Sequence, residues 1–164
     1  KEEPDWAKQH LGSLAAFDKA AFTAMNTAFM QDGVVLRVPK GEVVDVPIHI
    51  LHVTDANAAG AAIHPRLLVV AEALSSVMIV EQYVGLGSVS YLVNAVAEIV
   101  VGNGARVDHY KVQNESTEAF HVGTAQVTQG RDSIYHSFSF ASGAALSRTN
   151  IYTKLADTNS EARL

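Results

Sequence analysis

Apolar and polar residues alternate in short runs over most of this chain, and turn-forming residues separate the runs. In residues 98–113, the β-branched residues Ile99, Val100 and Val101 precede Gly102-Asn103-Gly104, and an alternating run follows. A period of two is typical of strands, and glycine and asparagine tolerate the backbone angles of a tight bend. These residues therefore predict a strand, a bend and a second strand.

The same strand-bend-strand unit recurs along the chain. Its predicted bends centre on Gly41, Leu74, Gly104, Gly130 and Ala156, so successive bends lie 33, 30, 26 and 26 residues apart. A repeat of this length is typical of a solenoid, in which each coil stacks on the one before it. The pattern also fits an antiparallel sandwich or barrel, because Asn-Gly is a favoured hairpin turn.

A helical pattern precedes the strands. Residues 14–30 are rich in alanine, and their larger apolar side chains recur at spacings of three to five, which predicts a helix. Ser13 is the predicted N-cap, and Gly33 is the predicted stop at the C-terminal end. Residues 1–12 are polar and are predicted to be loosely ordered.

The rest of the chain is predicted to be extended. Further strands are predicted at residues 34–38, 43–53, 66–71, 76–84, 124–128, 133–140 and 148–154. Candidates for the apolar interior are Val100, Val107, Val112, Val127, Ile134 and Ile151. We therefore expect an N-terminal helical segment at 1–33 and a β-core at 34–164. The core is expected to be truncated at its C-terminal end, because the chain does not begin with methionine and shows no closing signal.

Composition narrows the function classes. A chain of 164 residues with 48% hydrophobic residues predicts one folded domain, and a net charge of −5 argues against nucleic acid or an anionic membrane as partner. The absence of cysteine excludes a disulfide framework, a thiol nucleophile and a cluster held by this chain's own thiolates. The longest apolar stretch, residues 67–80, contains polar residues, so no transmembrane helix is predicted. Without a secretory signal, we expect a cytoplasmic location.

Histidines are the main candidates for metal binding. His49 and His52 form an HxxH, but residues i and i+3 of a strand point to opposite faces. His109 and His136 are 27 residues apart, close to one coil, so they could stack about 4.8 Å apart on adjacent rungs if a bulge aligned them. A metal role therefore stays open. The remaining histidines are His10, His64 and His121.

No catalytic or cofactor-binding residue is predicted. The motifs GxGxxG, GxSxG and HExxH and the Walker loop are absent. The carboxylates are scattered without a pairing pattern and are expected to be solvated. They include Glu72, Glu81, Glu98, Asp108, Glu115, Glu118 and Asp132.

An ordered series of segments resembles a known family. These segments are Asn-Thr-Ala-Phe-Met-Gln-Asp-Gly-Val-Val-Leu-Arg-Val-Pro-Lys-Gly at 26–41, Pro-Ile-His-Ile at 47–50 and His-Pro-Arg at 64–66, followed by 94–116. Over residues 14–164 the chain resembles the SufB/SufD family of the SUF iron–sulfur cluster assembly machine. The absence of cysteine favours the SufD branch. The resemblance implies an all-β core, a right-handed parallel β-helix preceded by a short N-terminal helix.

The resemblance also implies a function. Family members are non-enzymatic scaffold subunits that work with a SufB-like paralogue and the SufC ATPase, and the iron–sulfur cluster belongs to the full complex. The family's SufC-docking helices and its C-terminal histidine region lie beyond Leu164, so no functional residue is assigned here. The alternative is a cupin-like β-barrel enzyme or binding protein, although cupins use HxH rather than HxxH. We also expect self-association through the uncovered strands of the last coil, at residues 148–164.

Overall fold

The computed structural model describes residues 5–16, 18 and 20–164. Within them lie two α-helices, α1 (Asp5–His10) and α2 (Ala21–Phe29), and a short 3₁₀ helix at Ala56–Ala58. The strands are β1 (Gly33–Val38), β2 (Ile48–Thr54), β3 (Ala62–Ile63), β4 (Arg66–Ala71), β5 (Ser76–Gly85), β6 (Leu92–Val101), β7 (Arg106–Glu115), β8 (Phe120–Gln129), β9 (Ile134–Gly143), β10 (Leu146–Leu155) and β11 (Glu161–Arg163).

The strands form two parallel sheets that wrap into a solenoid. Sheet 1 has the order β1-β4-β6-β8-β10, with β3 beside β6, and sheet 2 has the order β2-β5-β7-β9-β11. Neighbours in the stack come from successive coils, and the solenoid has about 4 turns. This confirms the predicted β-helix. It also shows that the antiparallel barrel of the cupin-like alternative is wrong, because every described strand pair is parallel.

The strand register reproduces the predicted repeat. Along sheet 1 the aligned residues are Gly33, Arg66, Val96, Thr124 and Asn150, so successive coils contain 33, 30, 28 and 26 residues. The bends predicted from the sequence were spaced by 33, 30, 26 and 26 residues. The number of residues per coil decreases along the chain, and the spacing of the predicted bends decreases in the same way.

One residue in or next to each of the five predicted bends adopts a left-handed backbone conformation. The residues are Gly41, Leu74, Gly104, Asp132 and Asn159, with φ between 56° and 75°. The last two predicted bend centres, at residues 130 and 156, were therefore too early by two and three residues. Aspartate and asparagine take the left-handed position there, because their short polar side chains tolerate it better than most others do.

Leu74 is the strained member of this column, and its replacement by asparagine is expected to stabilise the fold. Its φ is 62° and its side chain is exposed, so asparagine would lose little packing while relieving part of the about 1–2 kcal/mol that a left-handed conformation costs. Gly104→Ala should do the opposite, because its φ is 66° and an added Cβ would lie 2.7 Å from Leu74 Cδ2. Urea unfolding measures both changes. Leu86→Asn, at an exposed residue outside this column, is the control, and an equal gain there would contradict the strain argument.

The predicted N-terminal helix is only half right. The structure has α2 at Ala21–Phe29, whereas the described residues from 14 to 20 are not helical. Ser13 lies in a turn after α1 rather than at an N-cap, and Gly33 begins β1. Phe17 and Lys19, which the predicted helix included, lie outside the described residues.

Residues 5–12 are ordered where loose order was predicted, and residues 1–4 lie outside the described residues. The helix α1 lies on the outer face of sheet 1, where Ala7 is fully buried beside Leu68 and Val70, with Trp6 packed against the same cluster. The prediction failed because the six-residue helix contributes few apolar side chains, and the matching apolar residues lie about 60 positions later.

A buried carboxylate fixes the segment between the two helices. Glu98, on the outer face of β6, accepts hydrogen bonds from the backbone N–H groups of Gly12 at 2.8 Å and of Leu14 and Ala15 at 2.9 Å. It also pairs with Arg66, at 2.8 Å to Nη2 and 3.1 Å to Nε. Because these N–H groups donate to the carboxylate instead of to helical carbonyls, the segment lies along the outer face of sheet 1 and does not form a helix.

Asn26 anchors α2 to the same face. Its Nδ2 donates to the backbone carbonyls of Pro65 at 3.0 Å and Asn94 at 2.8 Å, and its Oδ1 accepts from Arg66 Nη1 at 2.9 Å. Asn94 in turn donates to the carbonyl of Phe22 at 2.8 Å. At β4 and β6 the outer face of sheet 1 is therefore covered by the chain's own N-terminal segment, which these hydrogen bonds hold in place.

The predicted interior is right for three of six residues. Val107 and Val127 lie in the core, and Ile151 packs against it. The other three, Val100, Val112 and Ile134, are wrong. They point outward, because their neighbours Ile99, Val101, Val107 and Tyr135 occupy the interior and strand side chains alternate. Because these strands have apolar residues on both faces, the sequence did not show which alternate residues point inward.

Candidate functional site

The interior of the solenoid has an apolar half and a polar half. Beside the left-handed bends it is filled by aliphatic side chains such as Val77, Val101 and Val107. Towards the opposite bends it contains ionisable and amide groups, with buried or half-buried side chains. These are His52, Glu81, Tyr83, His109, Lys111, Gln113, Glu115 and His121.

Glu81 is the centre of the polar half. One carboxylate oxygen accepts a hydrogen bond from His109 Nε2 at 3.0 Å, and the other accepts from the Tyr83 hydroxyl. His109 Nδ1 lies 3.2 Å from the Tyr135 hydroxyl, which extends the chain of contacts across a third coil. Burial would raise the pKa of Glu81, but His109, the Lys111 ammonium and Tyr83 outweigh it and lower the pKa to about 2. Glu81 is therefore ionised at neutral pH.

Lys111 is a second buried charged residue. It lies next to Glu81, with which it is aligned between β5 and β7. Burial lowers its pKa, against the attraction of Glu81 and Glu115. Among the described residues its ammonium has no hydrogen-bond partner, but it lies 5.2 Å from the centre of the Tyr83 ring, a cation–π distance. Gly123 leaves the space for it, because a Cβ there would overlap Lys111 Nζ.

A small cavity lies beside this ammonium. Its volume is about 20 Å³, which suits about one water molecule, and Ser137, Ser139 and Thr149 contribute to its lining together with Lys111. Hydroxyl groups and an ammonium can all bind such a water. The cavity therefore offers a polar partner for the charge and is too small for an organic substrate.

His121 and Glu115 form a second buried pair. His121 Nδ1 lies 2.7 Å from Glu115 Oε2, and because a carboxylate only accepts, that nitrogen carries the proton. Burial lowers the pKa of His121, so the ring is neutral near pH 7 and its Nε2 keeps a lone pair. That Nε2 has no hydrogen-bond partner among the described residues.

His52 closes the polar half at the first coil. Its ring stacks on Tyr83 with centroids 4.5 Å apart, and its Nε2 lies 3.8 Å from Glu81 Oε1. Burial lowers the pKa of His52 as well. Both rings line a cavity of about 760 Å³ that opens beside α2, where Met25 and Phe29 form part of the wall. Solvent can therefore reach the polar half of the interior from the N-terminal end of the solenoid.

The structure separates the predicted histidine pairs. His109 aligns with Ser137 and points inward, whereas His136 aligns with Asp108 on the outer face and lies 3.0 Å from its carboxylate. No bulge brings the two histidines into register, so they do not share a ligand. His49 likewise points outward, opposite to His52, and contacts Gln82 at 2.9 Å. Within the described residues no group of three or more His, Asp or Glu side chains could hold a metal ion.

The buried carboxylates were missed by sequence reasoning. Glu81, Glu98 and Glu115 were expected to be solvated, and this is wrong, since all three are buried and paired with basic side chains. For Glu81 and Glu115, strand parity was a usable signal. Glu81, Lys111 and Glu115 have the same parity as buried residues of their own strands, Ile79 and Val107 among them.

Fold and interior together define a class of protein: a two-sheet parallel β-solenoid with buried ion pairs and an N-terminal helical cover. No helix among the described residues is both long and apolar enough to cross a membrane. No solved structure matches the chain significantly. In comparison with protein families, residues 52–164 match "SUF system FeS cluster assembly, SufBD core domain" and residues 1–50 match "SufBD protein N-terminal region". The chain belongs to the SufBD family.

Curated relatives show the same membership. The chain is 36% identical over 141 residues to an iron–sulfur cluster assembly SufBD family protein of Synechocystis, covering 79% of this chain and 30% of the relative. It is 31% identical over 118 residues to the iron–sulfur cluster assembly protein SufD of Bacillus subtilis, covering 71% and 26%. A chloroplastic SufBD family protein of Arabidopsis thaliana is 33% identical over 118 residues, covering 70% and 20%. The chain thus spans less than a third of each relative.

Proposed function

We propose that this chain is a scaffold part of a SUF iron–sulfur cluster assembly complex, working with a SufB-like paralogue and the SufC ATPase. The observation that carries the proposal is the match of the SufBD core over residues 52–164, which are nearly the whole solenoid. A continuous stack of hydrogen-bonded parallel strands is stiff, and stiffness suits a part that holds other subunits in place.

The proposed role is non-enzymatic. The buried ionisable groups use their hydrogen bonds largely on one another, as in Glu81 with His109 and Glu115 with His121. Of the two cavities beside the polar half, the smaller has room for about one water, and the lining of the larger includes neither of these pairs. Such groups stabilise a defined interior and present no reacting geometry to an organic substrate.

Within the family we propose the SufD branch and a cytoplasmic location. The chain has no cysteine to act as a sulfur carrier or as a cluster ligand, and one of its relatives is named SufD. We further propose that the cluster is held at the level of the full complex and that this chain alone binds no cofactor.

Anaerobic reconstitution tests the absence of a resident cluster. The chain is incubated with ferrous iron and sulfide, desalted, and examined by absorption spectroscopy and iron analysis. We expect no stoichiometric chromophore, because thiolates are the usual cluster ligands and the described residues contain no group of three or more His, Asp or Glu side chains that could hold a metal ion. We also expect no ATP hydrolysis. A stable chromophore with stoichiometric iron would refute the proposal that this chain alone binds no cluster.

Co-purification tests the partners. A tagged version of the protein, as its native gene encodes it, is expressed with the paralogue and the ATPase subunit, and the complex is isolated by affinity and size-exclusion chromatography. We expect both subunits to co-elute in fixed stoichiometry. Elution of the tagged protein without either subunit, under conditions in which all three are soluble, would contradict the proposed assembly.

A further inference from the structure

The cavity of about 760 Å³ at the N-terminal end of the solenoid has the size of a ligand pocket. It lies between α2, the start of β1 and the strands β2 and β3. Tyr83 of β5 and Val93 of β6 also contribute to its lining. None of the pairs described above for Glu81, Glu115 and Glu98 uses it. We call it the first-coil cavity.

The strand pairing leaves one side of this cavity open. In sheet 2, β2 is the last strand, and its peptide groups point alternately towards β5 and towards the free edge. The Thr54 carbonyl accepts from the N–H of Leu86, just after β5, so the peptide groups of Leu51 and Val53 point the other way. Both residues line the cavity. Their carbonyls are therefore hydrogen-bond acceptors on the free edge beside it.

The walls of the first-coil cavity are mainly apolar. The Phe29 side chain is 63% exposed, and its ring lies 5.7 Å from the His64 ring. Covering such a ring removes apolar surface from water, so an apolar ligand body against Phe29 is favoured. The other large apolar side chains of the lining are Met25, Val34, Ile50, Ile63 and Val93.

The cavity contains one carboxylate and no basic side chain that is charged at neutral pH. Among the described residues that line it, Asp32 is the one acidic residue, and none is lysine or arginine. Asp32 Oδ1 accepts from the Gly33 N–H at 2.8 Å. None of the ion pairs between described residues uses this carboxylate. The Asp32 charge is therefore available to a ligand.

The two histidines of the wall do not offset this charge. Burial lowers the pKa of His52 and of His64, so both rings are neutral at pH 7. Three charged side chains act on the His52 ring through space: the Glu81 and Asp32 carboxylates and the Lys111 ammonium. Their sum is negative. The electrostatic potential at this end of the interior therefore favours a cation over an anion.

We propose that the first-coil cavity binds a small organic ammonium ion that carries an apolar group. The Asp32 carboxylate binds the ammonium, and the free carbonyls of β2 are further acceptors. The apolar group lies against Phe29 and Met25. This proposal is independent of the proposed scaffold function, and it assigns binding without a reaction.

A metal ion fits the first-coil cavity less well. Within the described residues no group of three or more His, Asp or Glu side chains could hold one. A single ion would also leave most of the volume and the apolar wall without a contact. An organic cation uses both the charge of Asp32 and the apolar surface, as ligands of such pockets commonly do.

Three probes of matched shape test the selection for charge. They are the phenethylammonium ion, neutral 2-phenylethanol and anionic 3-phenylpropionate. Each is titrated by calorimetry and ligand-observed NMR into the protein as its native gene encodes it. We expect saturable binding of phenethylammonium, roughly tenfold tighter than that of the alcohol, because a hydrogen bond to a charged partner is stronger than one to a neutral partner. The anion should not bind. Butylammonium, which lacks the ring, should bind more weakly than phenethylammonium.

Variants place the site in the cavity. Asp32→Asn keeps an acceptor for the Gly33 N–H and removes the charge, so the affinity for phenethylammonium should fall roughly tenfold while that for 2-phenylethanol stays unchanged. Phe29→Ala should weaken both probes, because both contain the ring. The control is Asp45→Asn, an exposed carboxylate of the same coil outside the cavity lining, which should bind like wild type. Circular dichroism checks that each variant is folded.

Three results would overturn the proposal. Equal affinities for the three probes would show that the cavity does not select for charge. An equal loss of phenethylammonium binding in Asp32→Asn and Asp45→Asn would place the amine on the acidic surface and not in the cavity. The absence of saturable phenethylammonium binding to the folded wild-type protein would leave the cavity and the free edge of β2 without this ligand.

Discussion

Replacing Glu98 with alanine is expected to destabilise the protein by about 3–5 kcal/mol, because this leaves the Arg66 charge buried and unpaired. The carboxylate is fully buried and accepts five hydrogen bonds, three from backbone N–H groups and two from Arg66. Since Gly12, Leu14 and Ala15 lose their acceptor, the segment before α2 should detach from sheet 1 first.

Two measurements separate this local loss from general damage. Urea unfolding gives the change in the free energy of unfolding, and hydrogen exchange reports whether the amides of residues 12, 14 and 15 lose their protection before the solenoid does. The double variant Glu98→Leu with Arg66→Leu should recover part of the loss, because it removes both buried charges.

The matched control is Glu72→Ala, just after β4, which removes the exposed ion pair with Arg37 of β1 and the hydrogen bond from the Lys40 N–H. Exposed ion pairs contribute little to stability, so this change should be small beside the loss at Glu98. If hydrogen exchange at residues 12–15 stayed at the wild-type rate in Glu98→Ala, the anchoring role of the carboxylate would be wrong.

Much of the fold was predictable because the pattern that specifies each coil of the solenoid is local in the sequence. Each coil needs its own turn residues and its own β-branched runs, so the repeat from Gly41 to Gly104 is visible in the sequence. The bends at Asp132 and Asn159 were placed too early, because a left-handed backbone there does not require glycine. Parallel pairing itself is a long-range property, and the bend at Asn103-Gly104 alone was compatible with a hairpin.

The polar contacts were less predictable, because each depends on residues far apart in sequence. Glu98 meets residues 12–15 across more than 80 positions, and Glu81 meets His109 across 28. Strand parity could have placed Glu81 and Lys111 in the interior. It could not have shown which charges would pair, since that depends on the register between coils.

Acid is expected to destabilise this interior in two stages. Burial lowers the pKa of His52 and His121 below 6.5, so the unfolded state takes up these protons first. Their contribution to stability is complete above pH 6.5 and is lost as the pH falls below it. The pKa of Glu81 is lowered from 4.5 to about 2, so its contribution is complete above pH 4.5 and is lost between pH 4.5 and 2.

The Glu81 stage can be isolated with Glu81→Gln. A pKa difference of this size corresponds to about 3 kcal/mol, so the variant should be less stable than wild type at pH 7 by up to about that amount. Glutamine does not titrate, so the gap between variant and wild type should close as the pH falls from 4.5 towards 2. Urea unfolding at intervals from pH 7 to pH 2.5 measures both curves, with the exposed Glu118→Gln as the control. A variant that loses stability below pH 4.5 as steeply as wild type would show that other carboxylates, and not the Glu81–His109 pair, set the acid limit of the solenoid.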